Sequence, residues 1–183
     1  RARGRPGLRA LFDAARADGP PRPYHLGFLI GPRINAGGRI GDAALGAKLL
    51  LTQDEVKAAA IAAELDRLNR ERQAIEAETL AVAEAEALAS LGLEDKGAVV
   101  VVAGDDWHPG IVGLVAARLK ERFRRPAFAI AFPGEIGTGS GRSIAGVDLG
   151  RAVRAAVEAG LLLKGGGNAM AAGVTLERAR LGE

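Results

Sequence analysis

Three stretches of the chain set arginine, serine or asparagine among glycines. Arg33, Asn35 and Arg39 lie within the run from Gly31 to Arg39. Ser140, Arg142 and Ser143 are interleaved with or follow Gly137, Gly139 and Gly141, and Asn168 follows Gly165, Gly166 and Gly167. Glycine lets backbone amides approach a phosphate closely, and a guanidinium grips phosphate through a two-pronged fork. Read as loops, the three stretches make a phosphate-binding surface, and nucleic acid is the polyanion that suits it. Each alone also fits a tight turn with solvated charges; three in one short chain favour binding.

Other chemistries fail on residue type. No Gly-Lys-Ser/Thr stands where a nucleotide-binding loop needs it, and Gly137–Gly141 lacks the G-x-G-x-x-G order of a dinucleotide fold. The absence of cysteine excludes disulfides, thiolate nucleophiles and Cys-ligated metals. His25 and His108 are the two histidines and lie far apart. Asp105, Asp106 and His108 could be drawn as metal ligands, but a strand-end turn with His108 capping the next helix is the simpler reading. No catalytic residue and no metal ligand is assigned.

Elements that would position these residues follow from the pattern. Apolar spacing predicts a short helix from Gly7 to Ala17, broken by Pro20, Pro21 and Pro23, and a helical Ala43–Leu51 beyond the glycine-rich turn. These pieces bury little by themselves, so their core partners are expected upstream. Thr52-Gln53-Asp54-Glu55 reads as a capping box, and no proline or glycine follows until Gly92. That predicts a helix of roughly 40 residues, about 60 Å long. Its thin seam of Leu65, Leu68, Ile75 and Val82 suits a strut between two domains better than a core helix.

From Ala98 the pattern turns α/β. Val99–Val102 reads as a strand buried on both faces, Ile111–Phe123 as a helix ended by Pro126, and Ala127–Phe132 as a second, parallel strand. A strand through Thr138–Ile144, a helix from an Asp148 cap to Glu158 and strand-like residues in Ala169–Leu176 follow. The fold class is α/β: a mixed, partly parallel sheet flanked by helices, preceded by a long connecting helix and a partial α/β segment.

The 183 residues are 48% hydrophobic, which excludes general disorder, and no apolar run reaches the roughly 18 residues of a membrane helix. The net charge of +3 is uneven: Arg1, Arg3, Arg5, Arg9, Arg16 and Arg22 oppose Asp13 and Asp18, and Arg118–Arg125 forms a second cluster. A GC-rich genome or a polyanionic partner would each account for it. The single methionine is Met170, so the chain reads as a piece of a longer protein, with the cytoplasm as its default compartment.

Five blocks carry a resemblance. Leu26-Gly27-Phe28 through Gly31-Pro32-Arg33-Ile34-Asn35-Ala36-Gly37-Gly38-Arg39, Trp107–Gly113, Lys120–Pro126, Gly139–Ser143 and Gly165–Gly173 occur in the order and spacing of the RecJ family. The chain resembles these 5′→3′ single-stranded-DNA exonucleases, members of the DHH phosphoesterases, across nearly its whole length. The resemblance implies three parts: the tail of the catalytic DHH domain in 1–51, a connecting helix in 52–92 and the DHH-associated substrate-binding domain in 93–183. It implies a two-metal hydrolase using Mg or Mn, whose ligands lie upstream of Arg1, with none bound by this segment. It places Arg33, Asn35 and Arg39 at the rim of the catalytic domain and Arg142 and Ser143 on the substrate-facing loop. His108, Ser140, Gly165, Gly166, Gly167 and Asn168 complete the substrate-binding set. Asn168 stands where the family motif has histidine. Single-stranded DNA is the implied partner, single-strand-binding protein a second, and DNA repair and recombination the implied setting. Rival readings are a DHH phosphodiesterase of short oligonucleotides or cyclic dinucleotides, and a structural module whose glycine stretches are turns.

Overall fold

The computed structural model describes residues 4–92 and 97–183. Arg1 and Arg3 of the opening basic cluster, and the boundary expected at residue 93, lie outside the described residues. The chain divides into two compact units, Arg1–Ala74 and Ile75–Glu183.

The described part of the first unit is helical throughout. Helix α1 (Pro6–Ala14) leads to a π-helical turn (His25–Ile30), then α2 (Gly31–Ile40), α3 (Leu45–Leu51) and the first half of α4 (Glu55–Leu91). Leu11, Phe12, Ile30 and Leu49 pack with Ala58, Ala62 and Leu65 of α4 into one buried cluster. The alanine-rich start of α4 thus supplies 1–51 with core partners that the apolar pattern alone did not assign. The partial α/β segment and the glycine-rich turn at 31–39 give way to helix. Pro32 follows the π-helical turn directly, with Ile30 and Gly31 both in helical conformation, so its missing N–H falls where the helix changes its hydrogen-bond step. A side chain at Gly37 would run into the Asp42 carbonyl oxygen at 2.8 Å and the Leu65 methyl at 3.3 Å, so this glycine serves close packing.

Helix α4 begins differently from the expected capping box. Asp54, not Thr52, is the cap: its Oδ1 accepts from the Val56 and Lys57 amides at 2.9 and 3.1 Å. The Thr52 hydroxyl accepts from the Asp54 amide at 3.2 Å, one step outside the helix. The seam also changes identity along the helix. Leu65 and Leu68 are buried, but Val82 is 55% exposed, and Thr79, Ala83, Ala87 and Leu91 are the buried positions instead. Steps of four residues keep these on one face, and their small size made the face hard to see.

The second unit is a five-stranded sheet in the order β1-β2-β3-β5-β4 (Val100–Gly104, Ala127–Ala131, Ile136–Arg142, Ala171–Glu177, Lys164–Gly167). The β1–β2 pair is parallel and every other pair antiparallel. Helix α5 (Val112–Phe123) connects β1 to β2 and packs on β1, β2 and β3; α6 (Leu149–Glu158) packs on β4 and β5. The Asp148 carboxylate caps α6 by accepting from the Arg151 amide at 2.9 Å, as its sequence position implies. Strand β1 is an edge strand rather than one buried on both faces: Val100 and Val102 are buried, whereas Val101 is 39% exposed.

Alternation along β3 decides what each face carries. Gly137, Gly139 and Gly141 are buried, and Thr138, Ser140 and Arg142 point the other way. A side chain at Gly139 would meet Ile130 at 2.7 Å and Val174 at 2.9 Å; one at Gly141 would meet the Phe128 ring and, at 2.7 Å, Leu149. Large residues on β2 thus fill the space that β3 vacates. On the opposite face β2 presents only Ala127, Ala129 and Ala131, which lets α5 approach closely.

Glu86 of α4 closes one edge of the sheet. Its two carboxylate oxygens accept from the Ala103 amide of β1 at 3.3 and 3.4 Å. Burial pushes this carboxyl above its ordinary range, and the Ala103 amide opposes the shift. With the folded value raised, the fold favours the neutral acid, so Glu86 lowers stability as pH rises from the ordinary carboxylate range through the raised value. Glu86→Gln keeps an acceptor for Ala103 and removes the charge. We expect denaturant midpoints of the variant to gain on the parent between pH 4 and pH 8; parallel curves would contradict this. For the α4 cap, Asp54→Ala should cost about 1 kcal/mol and Thr52→Ala much less, as read from urea titrations.

Candidate nucleic-acid interface

The residues singled out in the sequence fall into two groups, one per unit. In the first unit, Arg33 is half-buried and committed. Its Nε donates to Asp66 Oδ1 of α4 at 2.8 Å and its Nη1 to the Leu29 carbonyl at 2.7 Å. Asp66 also pairs with Arg70 at 3.1 Å. With side-chain exposures of 14% and 16%, the Arg33–Asp66 pair is a clamp of α2 on α4. Asn35 and Arg39, four residues apart on α2, share another helix face beside Gly38, Ala43 and Gly46.

In the second unit the structure brings Ser140 and Arg142 to the first turn of α5, which His108 precedes in the chain. Helix α5 starts at Val112 with no side-chain cap and no acidic residue in its first turn. A Cβ placed on Gly113, in that turn, would lie 2.8 Å from Arg142 Nη2 and 3.4 Å from Ser140 Oγ. The two β3 side chains therefore rest against the helix N-terminus, and glycine makes the room. Arg142 donates from Nη1 to the Gly141 carbonyl at 2.8 Å, and no carboxylate pairs with it among the described residues. His108 lies just ahead of the same helix. Its Nδ1 accepts from the Gly110 amide at 3.0 Å and its carbonyl from the Ile111 amide at 3.0 Å, so it shapes the turn that aims α5. Trp107 packs over Gly104 at 9% exposure and offers no face for stacking.

Ser143 stands apart. It is 1% exposed, and its hydroxyl donates to the Val147 carbonyl at 2.7 Å. Asn168 holds the β4–β5 turn: its Oδ1 accepts from the Met170 and Ala171 amides at 2.8 and 2.9 Å. The three glycines before it form a strand rather than a loop. Gly165 faces Val153 of α6 at 2.6 Å and Gly167 abuts Ala171 and Ala172, whereas nothing lies within 4 Å of a side chain added at Gly166. Lys164, Thr138, Thr175 and Gly173 line a groove with Ser140 and Gly166, and sequence reasoning missed all four. The period-two alternation of Ile136–Arg142 was the signal that could have found Thr138.

Among the described residues no three His, Asp or Glu side chains gather to hold a metal. Asp105 is turned to Arg178 at 2.6 Å and His108 is engaged at Nδ1, so these residues do not fit a metal centre. What the site can do is bind: an anion at the start of α5 would meet a guanidinium, a hydroxyl and the positive end of a helix.

Residues 95–183, which hold this sheet and its helices, match the DHHA1 domain family. The chain as a whole is a homologue of RecJ. It is 42% identical over 188 residues to the single-stranded-DNA-specific exonuclease RecJ of Dickeya dadantii, covering 98% of this chain and 32% of that protein. The Escherichia coli protein of the same name is 40% identical, with 94% and 31% covered. Among solved structures, exonuclease RecJ bound to manganese superposes with a TM-score of 0.83 at 35% identity, over 99% of this chain and 43% of that one. RecJ of Thermus thermophilus in complex with Mg²⁺ gives 0.80 at 34%, over 97% and 28%. The chain thus spans about a third of the curated relatives it matches.

Ser143→Ala should lower the melting temperature, because the partner of the buried hydroxyl is left unmatched, whereas Arg142→Ala, which removes no carboxylate pair among the described residues, should leave it nearly unchanged. Differential scanning fluorimetry of the two variants reads both.

Proposed function

We propose that this chain is the substrate-gripping part of a RecJ-type 5′→3′ exonuclease and that it binds single-stranded DNA through its phosphates. One observation carries the reading. Arg142 lies against the uncapped first turn of α5 with no carboxylate to neutralise it among the described residues. A cation at a helix N-terminus is unfavourable by about 0.3–1 kcal/mol, and a bound phosphate turns that repulsion into two attractions. Arg33, Arg67, Arg118 and Arg122, by contrast, already pair with carboxylates.

In this reading 1–51 is the tail of the catalytic domain, 52–92 the connecting helix and 93–183 the substrate-binding domain. The Mg²⁺ and Mn²⁺ bound in the RecJ structures would be held by residues outside this span, and this chain's own residues take no step through them. The chain's own residues hold and orient the strand: Arg142 and Ser140 take a phosphate, His108 fixes the helix start, and Asn168 fixes the turn beside it. Repair and recombination, the cytoplasm, and single-strand-binding protein as a partner belong to the same proposal. No helix of the described residues is long and apolar enough to cross a membrane.

Fluorescence anisotropy with a labelled oligothymidylate tests the reading. Affinity should fall steeply with salt, and Arg142→Ala should cost about 1.5–3 kcal/mol, the scale of a charge-assisted hydrogen bond. Arg142→Lys keeps the charge without the fork and should recover only part. Binding indifferent to salt, or unchanged in Arg142→Ala, would refute the proposal. The chain alone should not degrade the strand with Mg²⁺ or Mn²⁺; chelator-sensitive degradation would contradict the assignment of the metal centre elsewhere.

A further inference from the structure

Two glycines in the sheet have no packing reason to be glycine. Gly166 of β4 and Gly173 of β5 face each other in register. A side chain at Gly166 would meet nothing within 4 Å, and one at Gly173 only the Gly139 carbonyl oxygen at 4.0 Å. Neither has a positive φ, so no backbone conformation demands glycine. Yet glycine weakens a strand interior, and a strand glycine with open space above it marks close approach by something else.

The surroundings say what approaches. Gly166 and Gly173 lie in one cross-sheet row with Ser140, and the next row holds Thr138, Thr175 and Lys164. Register puts all of these on the face that carries Arg142, and they line one groove. Helix α5 covers this face only over β1, β2 and β3, so the groove stays open above β4 and β5. Lys164 is exposed and makes no ion pair among the described residues. Glu177, two residues beyond Thr175, is the one carboxylate on this face of β5 and ends the polar track. Two residues along a strand advance about 6.8 Å, comparable with the step between successive phosphates of an extended single strand.

We propose that this groove is a second binding site, taking the next two phosphodiesters of a strand whose first bound phosphate sits at Arg142. The two bare glycines beside Ser140 seat the nearer sugar–phosphate against the sheet. Thr138, Thr175 and Lys164 meet the farther one. The inference rests on the proposed single-strand binding and adds a direction to it: the strand leaves Arg142 along β3 toward Thr138.

The test compares thymidine 5′-monophosphate, too short to span both sites, with a labelled oligothymidylate. On the 183-residue chain, Lys164→Ala and Gly173→Val should each weaken oligothymidylate binding on the order of tenfold and leave mononucleotide binding unchanged. Lys164→Ala should also lower the salt slope by about 0.7, one single-strand contact. Valine suits a strand, and Lys164 is exposed, so one variant stands should the other fold poorly. Arg142→Ala should weaken both ligands. If Lys164→Ala and Gly173→Val bind the oligomer like the parent while Arg142→Ala does not, the second site falls and the functional reading stands. If the two variants also lose the mononucleotide, the groove is not a separate site and the inference falls. If Arg142→Ala binds the oligomer like the parent, the functional reading fails first.

Discussion

Strand β3 must carry glycine at every second position because Phe128 and Ile130 of β2, with Phe132 just beyond it, stand where those side chains would go. That exchange of volume between neighbouring strands governs the second unit. It makes one face of β2 bulky, so α6 and β5 complete a core around Ile130, Phe132 and Val174. It leaves the other face of β2 as three alanines, and α5 settles there closely enough for Gly113 to touch Arg142. Overfilling any of the three glycine positions would strain both layers, since packed interiors resist added volume as much as lost volume. The polar residues of β3 are then confined to the face where α5 ends.

The same arrangement gives the site its charge. Helix α5 begins without an acidic cap, whereas α6 has Asp148 and α4 has Asp54. An aspartate at the start of α5 would stabilise the helix and neutralise Arg142 at once. Its absence leaves two positive elements side by side, held there by packing that comes from elsewhere in the sheet. Local instability of this kind is affordable only where the surrounding core over-determines the geometry, and buried Leu119, Val115 and Ala116 do that for α5.

The α/β character, the parallel β1–β2 crossover, the Asp148 cap and the long helix were legible because each is a local pattern: a β-branched run, a proline stop, a cap before an apolar period. The glycine-rich stretches were misread as loops for an equally physical reason. Glycine reports that space is short or that a turn is needed, and sequence alone does not say which. At Gly37, Gly139 and Gly165 the space is occupied by Leu65, Ile130 and Val153, contacts that are distant in the chain. Arg33 was legible as a functional candidate by type, but its partner Asp66 lies 33 residues away on another helix. Ser143 shows the converse: its neighbours suggest substrate, while its buried hydroxyl serves the Val147 carbonyl.

Where packing accounts for a glycine, nothing further needs to be asked of it. This criterion sorts the strand glycines into two sets. Gly104, Gly137, Gly139, Gly141, Gly165 and Gly167 each abut a neighbour that forbids a side chain. Gly166 and Gly173 do not, and they lie beside each other on the face that carries Ser140, Arg142 and Lys164. Chance could leave one such residue unexplained. Two in register, beside three hydroxyls and a lysine that makes no ion pair among the described residues, point to a surface shaped from outside rather than from within. The face that packing leaves bare is the one on which the proposed second site lies.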